Sequence, residues 1–134
     1  MPQELVNTVT GAIRTQDLGV TLMHEHILIG YPGWEADTLR PGPSRADIVE
    51  IAVDKIQSMQ DIGIQSMLDP CPNDLGRDVE LAAEVASRTG FNIICATGLY
   101  KQDEGGFSHW HFMRSIGRGV EAMAELFVHE LTHG

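Results

Sequence analysis

Three titratable side chains follow one another in TLMHEHILIG, residues 21–30: His24, Glu25 and His26. Their flanks are apolar and partly β-branched, which predicts a strand from about Val20 to Ile29. Side chains alternate between the faces of a strand, so His24 and His26 point one way and Glu25 the other. Two imidazoles one step apart on one face can grip a single metal ion. A pair of core histidines has the same spacing, however, and two ligands do not close a metal site. Glu25, on the opposite face, is read as a supporting or ion-paired group. Two further histidine pairs compete. His109 and His111 repeat the spacing in FSHWHF, in a glycine-bounded loop, and are read as pocket-wall or subunit-contact residues. His129 and His133 belong to HELTH, which matches the H-E-x-x-H pattern of zinc proteases letter for letter. A zincin helix also needs a third ligand downstream and a deep cleft. Here the segment reads as the outer helix of a barrel unit, and the protease reading is rejected.

The elements that must position these residues alternate regularly. Residues 6–19 read as a hairpin around Gly11 and Gly19, leading into the first strand. A loop follows over residues 30–45, with three prolines and three glycines, and loops this long are usually functional or disordered. Ser44 and Asp47 form a capping-box pattern. Behind them Ile48, Ala52, Ile56 and Met59 make an apolar stripe at helical spacing, stopped by Gly63. IQSMLDP (64–70) is a second strand, halted by Pro70 and Pro72; Asp69 is read there as a strand-terminating cap rather than a catalytic acid. GRDVELAAEVASRTG is a second helix with Leu81, Ala82 and Val85 inward and Gly90 as its stop. FNIICATGLY (91–100) is a third strand, apolar almost throughout, as a parallel strand buried on both faces should be. Tyr100 closes it, as a core or rim aromatic. A third helix is predicted over 116–133.

The order is therefore β-α-β-α-β-α, with short returns after helices and long loops after strands. In barrels and doubly wound sheets it is the loops after strands that carry chemistry. No GxGxxG and no Walker lysine motif is present, which weighs against a nucleotide-binding sheet. The histidine pair lies toward the C-terminal end of its strand, where a (β/α)8 barrel keeps its catalytic residues.

Composition sets the outer bounds. The chain has 134 residues, enough for one domain. Nine Lys and Arg against 19 Asp and Glu give a formal net charge of -10, and the basic residues are scattered, which argues against nucleic acid. Cys71 and Cys95 lack CxxC spacing and read as small apolar side chains near strand ends. No basic-then-apolar leader and no bilayer-length apolar run is seen, so the expectation is a cytoplasmic protein without a membrane partner.

At this level of detail the chain resembles a known family. VNTVTGAI, LGVTLMHEHILI, SMLDPCPNDLGRDVELAAEVASRTGFNIICATGLY and GVEAMAELFVHELTHG, in that order, are similar to the phosphotriesterase family of metal-dependent hydrolases, and most of all to its lactonases. The resemblance covers essentially the whole chain. It implies a (β/α)8 barrel with two divalent metals, usually Zn2+, at the C-terminal ends of the strands. His24 and His26 match the first-strand pair on the more buried metal. The bridging carboxylated lysine, two further histidines and an aspartate come from later strands and have no counterpart here, and Asp69 is assigned no metal. Residues 1–134 would then be the N-terminal part of the barrel domain, with 6–19 as its hairpin and 20–134 as its first three βα units. No group in this portion would itself be catalytic. Tyr100 would line the pocket for a small-molecule ester or lactone, phosphotriesters included, attacked by metal-activated water. A homo-oligomer is expected. The rival expectation is a catalytically inactive piece that serves as a structural or self-associating module.

Overall fold

The computed structural model describes residues 4–31, 33–100 and 108–133. Two short strands open the chain, β1 (Leu5–Thr8) and β2 (Gly11–Arg14), paired antiparallel from Leu5↔Arg14 to Thr8↔Gly11. The Thr8 hydroxyl donates to the Gly11 carbonyl (2.7 Å), and Gly11 takes φ 126°, which closes the turn. Val9 at the tip donates its N–H to the Ile93 carbonyl (2.9 Å), so the hairpin is fastened to the main sheet.

That sheet is parallel and three-stranded. β3 (Val20–Leu22), β4 (Ile64–Asp69) and β5 (Asn92–Cys95) lie in chain order, with β4 between its neighbours. Helix α1 (Arg45–Asp61) makes the first crossover, and both halves of the Ser44–Asp47 capping box form. Helix α2 (Val79–Thr89) makes the second. The Asp78 carboxylate accepts the Leu81 N–H (2.8 Å) at its start, and Gly90 ends it at φ 69°. The core lies between these helices and the sheet: Val49, Ala52, Val53 and Ile56 from α1, Leu81, Ala82, Val85 and Ala86 from α2, Met67 and Ile93 from the strands, and Phe91. The α1 stripe is therefore rotated from the expected one, because Val49 and Val53 reach the core while Ile48 and Met59 stay at its margin. Outside the core, Arg88 grips both oxygens of Glu50 (2.8 and 3.0 Å) and joins the two helices.

Three expectations need correction. The first strand ends at Leu22, not Ile29. The backbone still runs beside β4, since Glu25 N–H donates to the Leu68 carbonyl (3.2 Å), but the Ile27 N–H goes to a side chain of β4 instead of a ladder partner. The third strand ends at Cys95 rather than Tyr100, because beyond Ala96 side chains take over the backbone groups. The last helix, expected from residue 116, is α4 (Val120–His133), and the loop expected before it carries a further helix, α3 (Ser108–Ser115), the two separated at Gly117 with φ 76°. His109 and His111 thus stand on a helix, not in a loop. Both are exposed, while Trp110 between them is 8% exposed and anchors α3. Among the described residues, no helix is long and apolar enough to cross a membrane.

Candidate metal centre

The loop leaving β3 brings the first histidine pair together although it is not strand. The His24 and His26 rings meet edge to face, with centroids 5.2 Å apart at 79°. His24 is exposed and His26 half-buried. Beneath them lies Asp69, the last residue of β4 and only 5% exposed. Its Oδ1 stands 3.2 Å from His26 Nδ1 and accepts the Cys71 N–H (2.9 Å); its Oδ2 accepts the Ile27 N–H (3.1 Å). The contact between His26 and Asp69 is a hydrogen bond in the tautomer that carries its proton on Nδ1. That tautomer leaves the Nε2 lone pair for an electrophile.

One trio of potential ligands is found among the described residues: His26, Asp69 and Cys71, with ligand atoms within 4.8 Å of one another. Its donor set does not fit a metal as it stands. The fully buried Cys71 thiol donates to the Leu28 (3.4 Å) and Leu75 (3.2 Å) carbonyls, and burial, then the nearby Asp69 charge, pushes it up to about 11. Metals take thiolates, and here the thiol is held protonated. Burial also pushes the half-buried Cys95 up to about 11, and both cysteines are free. The paired imidazoles are a better match. Neutral histidine nitrogens suit a divalent ion such as zinc, with the rest of its shell to come from elsewhere.

The same loop is held from its far side. Gly30 N–H donates to the Leu75 carbonyl (3.0 Å), within the short turn after β4. Gly76 follows at φ 88°, and a Cβ there would fall 2.8 Å from Gly30 N. Only glycine permits this approach.

The HELTH helix turns its glutamate inward. Glu130 Oε2 accepts from Arg77 Nη1 (3.1 Å) and from the Thr97 hydroxyl, and Oε1 accepts from Arg77 Nη2 and Asn73 Nδ2 (3.3 Å). Arg77 also donates to the Ala96 carbonyl (2.7 Å). The Arg77 hydrogen bond, with help from Thr97, holds the Glu130 carboxyl down to about 2 despite partial burial. His129 and His133 stack at 4.6 Å on the exposed side of the helix. The glutamate a zincin would use as its base is thus committed to an ion pair that fastens α4 to the loops after β4 and β5.

Tyr100 belongs to a second group. Its N–H donates to Asp74 Oδ1 (2.8 Å), and its ring meets Tyr31 edge to face at 6.2 Å. The structure thus brings His24 to His26 and, separately, Tyr100 to the loop that follows the histidines. Two contacts escape the sequence reading, His26–Asp69 and Arg77–Glu130. The first had a signal, since an Asp-Pro ending the strand next to the histidine strand sits at the same sheet end. The second joins residues 53 apart with no local pattern.

Parallel strands in the order β3-β4-β5, joined by helical returns, define the class: this is the N-terminal part of a (β/α)8 barrel, its sheet open at both sides among the described residues. The chain belongs to the phosphotriesterase family, whose model matches residues 4–134. It is 34% identical over 144 residues to a phosphotriesterase homology protein of Mycobacterium tuberculosis, covering 100% of this chain and 41% of that protein. The aryldialkylphosphatase of Saccharolobus solfataricus is 26% identical over 126 residues, covering 92% and 37%. Among solved structures, the organophosphorus hydrolase of Deinococcus radiodurans superposes with a TM-score of 0.84 at 34% identity, covering 93% of this chain and 38% of that one. The chain therefore spans about two fifths of the length of the relatives it matches.

Proposed function

We propose that this chain is the N-terminal part of a metal-dependent hydrolase that cleaves ester bonds in lactones or phosphotriesters, with His24 and His26 holding one of two divalent metals, zinc by preference. One observation carries the reading: in a chain of this family, two imidazoles meet just beyond a parallel strand, and a buried carboxylate stands 3.2 Å from one of them. A metal held there supplies Lewis-acid activation of water and of the ester oxygen. The chain's own contributions are to present the two nitrogens, to shield the underside of the site with Asp69 and the apolar core, and to offer Tyr100 to the substrate. Tyr100 is assigned to the pocket because it stands at the same sheet end, beside Tyr31, on the loop that follows β5. Lactones are preferred over triesters as substrates, on that tyrosine and the glycine-rich segment after it. The protein works in the cytoplasm, in keeping with its two free cysteines.

The test is hydrolysis of a lactone panel and an aryl phosphotriester by the protein as its gene encodes it, with metal content measured alongside. Faster turnover of the triester would reverse the substrate preference. No turnover of either ester at full metal occupancy would end the enzyme reading. A second reading, an inactive self-associating module, draws on the open sheet edges and on Val120, Val128 and Leu131, which stand exposed on α4. Inactivity together with a stable oligomer would favour it.

A further inference from the structure

We propose that Asp69 is a positioning residue for the metal site: by holding His26 at Nδ1 and the loop backbone at Ile27, it fixes which ring nitrogen His26 offers and where. The inference rests on the reading of His24 and His26 as metal ligands and goes beyond the ligand set itself. Asp69 is one of only two buried polar or charged side chains among the described residues, and its carboxylate bonds to the site loop and to its own turn. It reaches His26 and Ile27 across 43 and 42 residues of chain, while its other bond, to the Cys71 N–H, shapes the turn that receives the loop. A carboxylate needed only to end a strand would be satisfied by that turn. Here it also engages the one imidazole of the pair that is withdrawn from solvent. An imidazole has two tautomers and a ring free to swing. A carboxylate at Nδ1 removes both freedoms. The neighbouring thiol cannot substitute for it, since Cys71 is occupied by two carbonyls.

The test uses the protein as encoded, with Zn2+ as the probe, in four forms: unsubstituted, Asp69→Asn, His26→Ala, and Val85→Ala as a core control. Asparagine keeps the shape but presents an amide NH2 where the carboxylate accepted, so it cannot satisfy all three donors. Ring 15N shifts of His26 in the metal-free unsubstituted protein are expected to report the Nδ1–H tautomer. In Asp69→Asn they should move to a tautomer mixture, and zinc affinity, by competition with a chromophoric chelator, should fall about 10- to 100-fold. Val85→Ala lowers stability without touching the loop and should change neither readout. An Nε2–H tautomer in the unsubstituted protein overturns the proposal without need of any variant. So does unaltered zinc affinity in Asp69→Asn when His26→Ala has lost it. If His26→Ala binds zinc like the unsubstituted protein, the ligand reading itself falls and Asp69 has nothing to position.

Discussion

Glu130→Gln is the substitution whose cost the structure allows to be worked out. The carboxyl falls from an ordinary 4.5 to about 2 in the folded chain, Arg77 being the main cause. Each pH unit of such a shift corresponds to about 1.4 kcal/mol, so the clamp contributes about 3 kcal/mol at neutral pH. Both partners are mostly buried, with side chains 19% and 14% exposed, so solvent screening removes little of this. The sign follows from the direction. A depressed folded pKa gives stability that is complete above the unfolded value near 4.5 and is lost as pH falls toward 2. Urea unfolding of the unsubstituted and Glu130→Gln forms should therefore show a gap of about 3 kcal/mol at pH 7 that narrows below pH 4.5 and closes near pH 2. All other carboxylates titrate in both forms and cancel in the difference. A gap of equal size at pH 7 and pH 2.5 would refute the electrostatic origin, and no gap at pH 7 would refute the clamp.

Replacing His24 and His26 together by Ala should abolish ester hydrolysis at a stability cost of about 1 kcal/mol, since Asp69 keeps its two backbone donors; enzyme assay and thermal unfolding read the two effects separately. Gly76→Ala should cost about 2–3 kcal/mol by denaturant midpoint, through a positive φ and the approach to Gly30. Gly90→Ala, with φ 69° and open space around the new methyl, should cost about 1 kcal/mol; equal costs would show that the approach to Gly30 does not matter. The 134-residue chain expressed alone should associate or unfold readily, because its sheet edges and much of α4 lack cover, and sedimentation should reveal a species larger than the monomer. A stable monomer that binds zinc tightly and hydrolyses lactones would contradict this.

What could be read from the residues depended on how local the cause was. The Ser44 capping box, the Gly63 and Gly90 stops and the apolar face of α2 are written within one or two turns of chain, and they form as read. The ends of β3 and β5 were not legible. Apolar alternation continues through His24–Ile29 and Ala96–Tyr100, but Asp69, Arg77 and Asp74 take the backbone groups that a ladder would use. Those partners lie 19 to 42 residues away, beyond any periodicity. Helix α3 was not legible, its FSHWHF segment being read as a glycine-bounded loop, and Gly117 and Gly119 delay the start of α4 to Val120. Of the candidate site, the nearness of His24 and His26 was legible from their spacing, whereas Tyr100 lies beyond the strand it was expected to close. The carboxylate under His26 had only its Asp-Pro to announce it, which reads equally well as a simple strand stop.

The long spans of these polar bonds also set an order in time. Synthesis at about 5–20 residues per second leaves the histidine loop waiting several seconds for Asp69, 43 residues on, to emerge and take hold of it. Asn73 and Arg77 wait longer, 57 and 53 residues, for Glu130. On the ribosome the imidazoles are therefore exposed and unoriented until the second strand is made, and the loops after β4 and β5 are unfastened until α4 has left the tunnel.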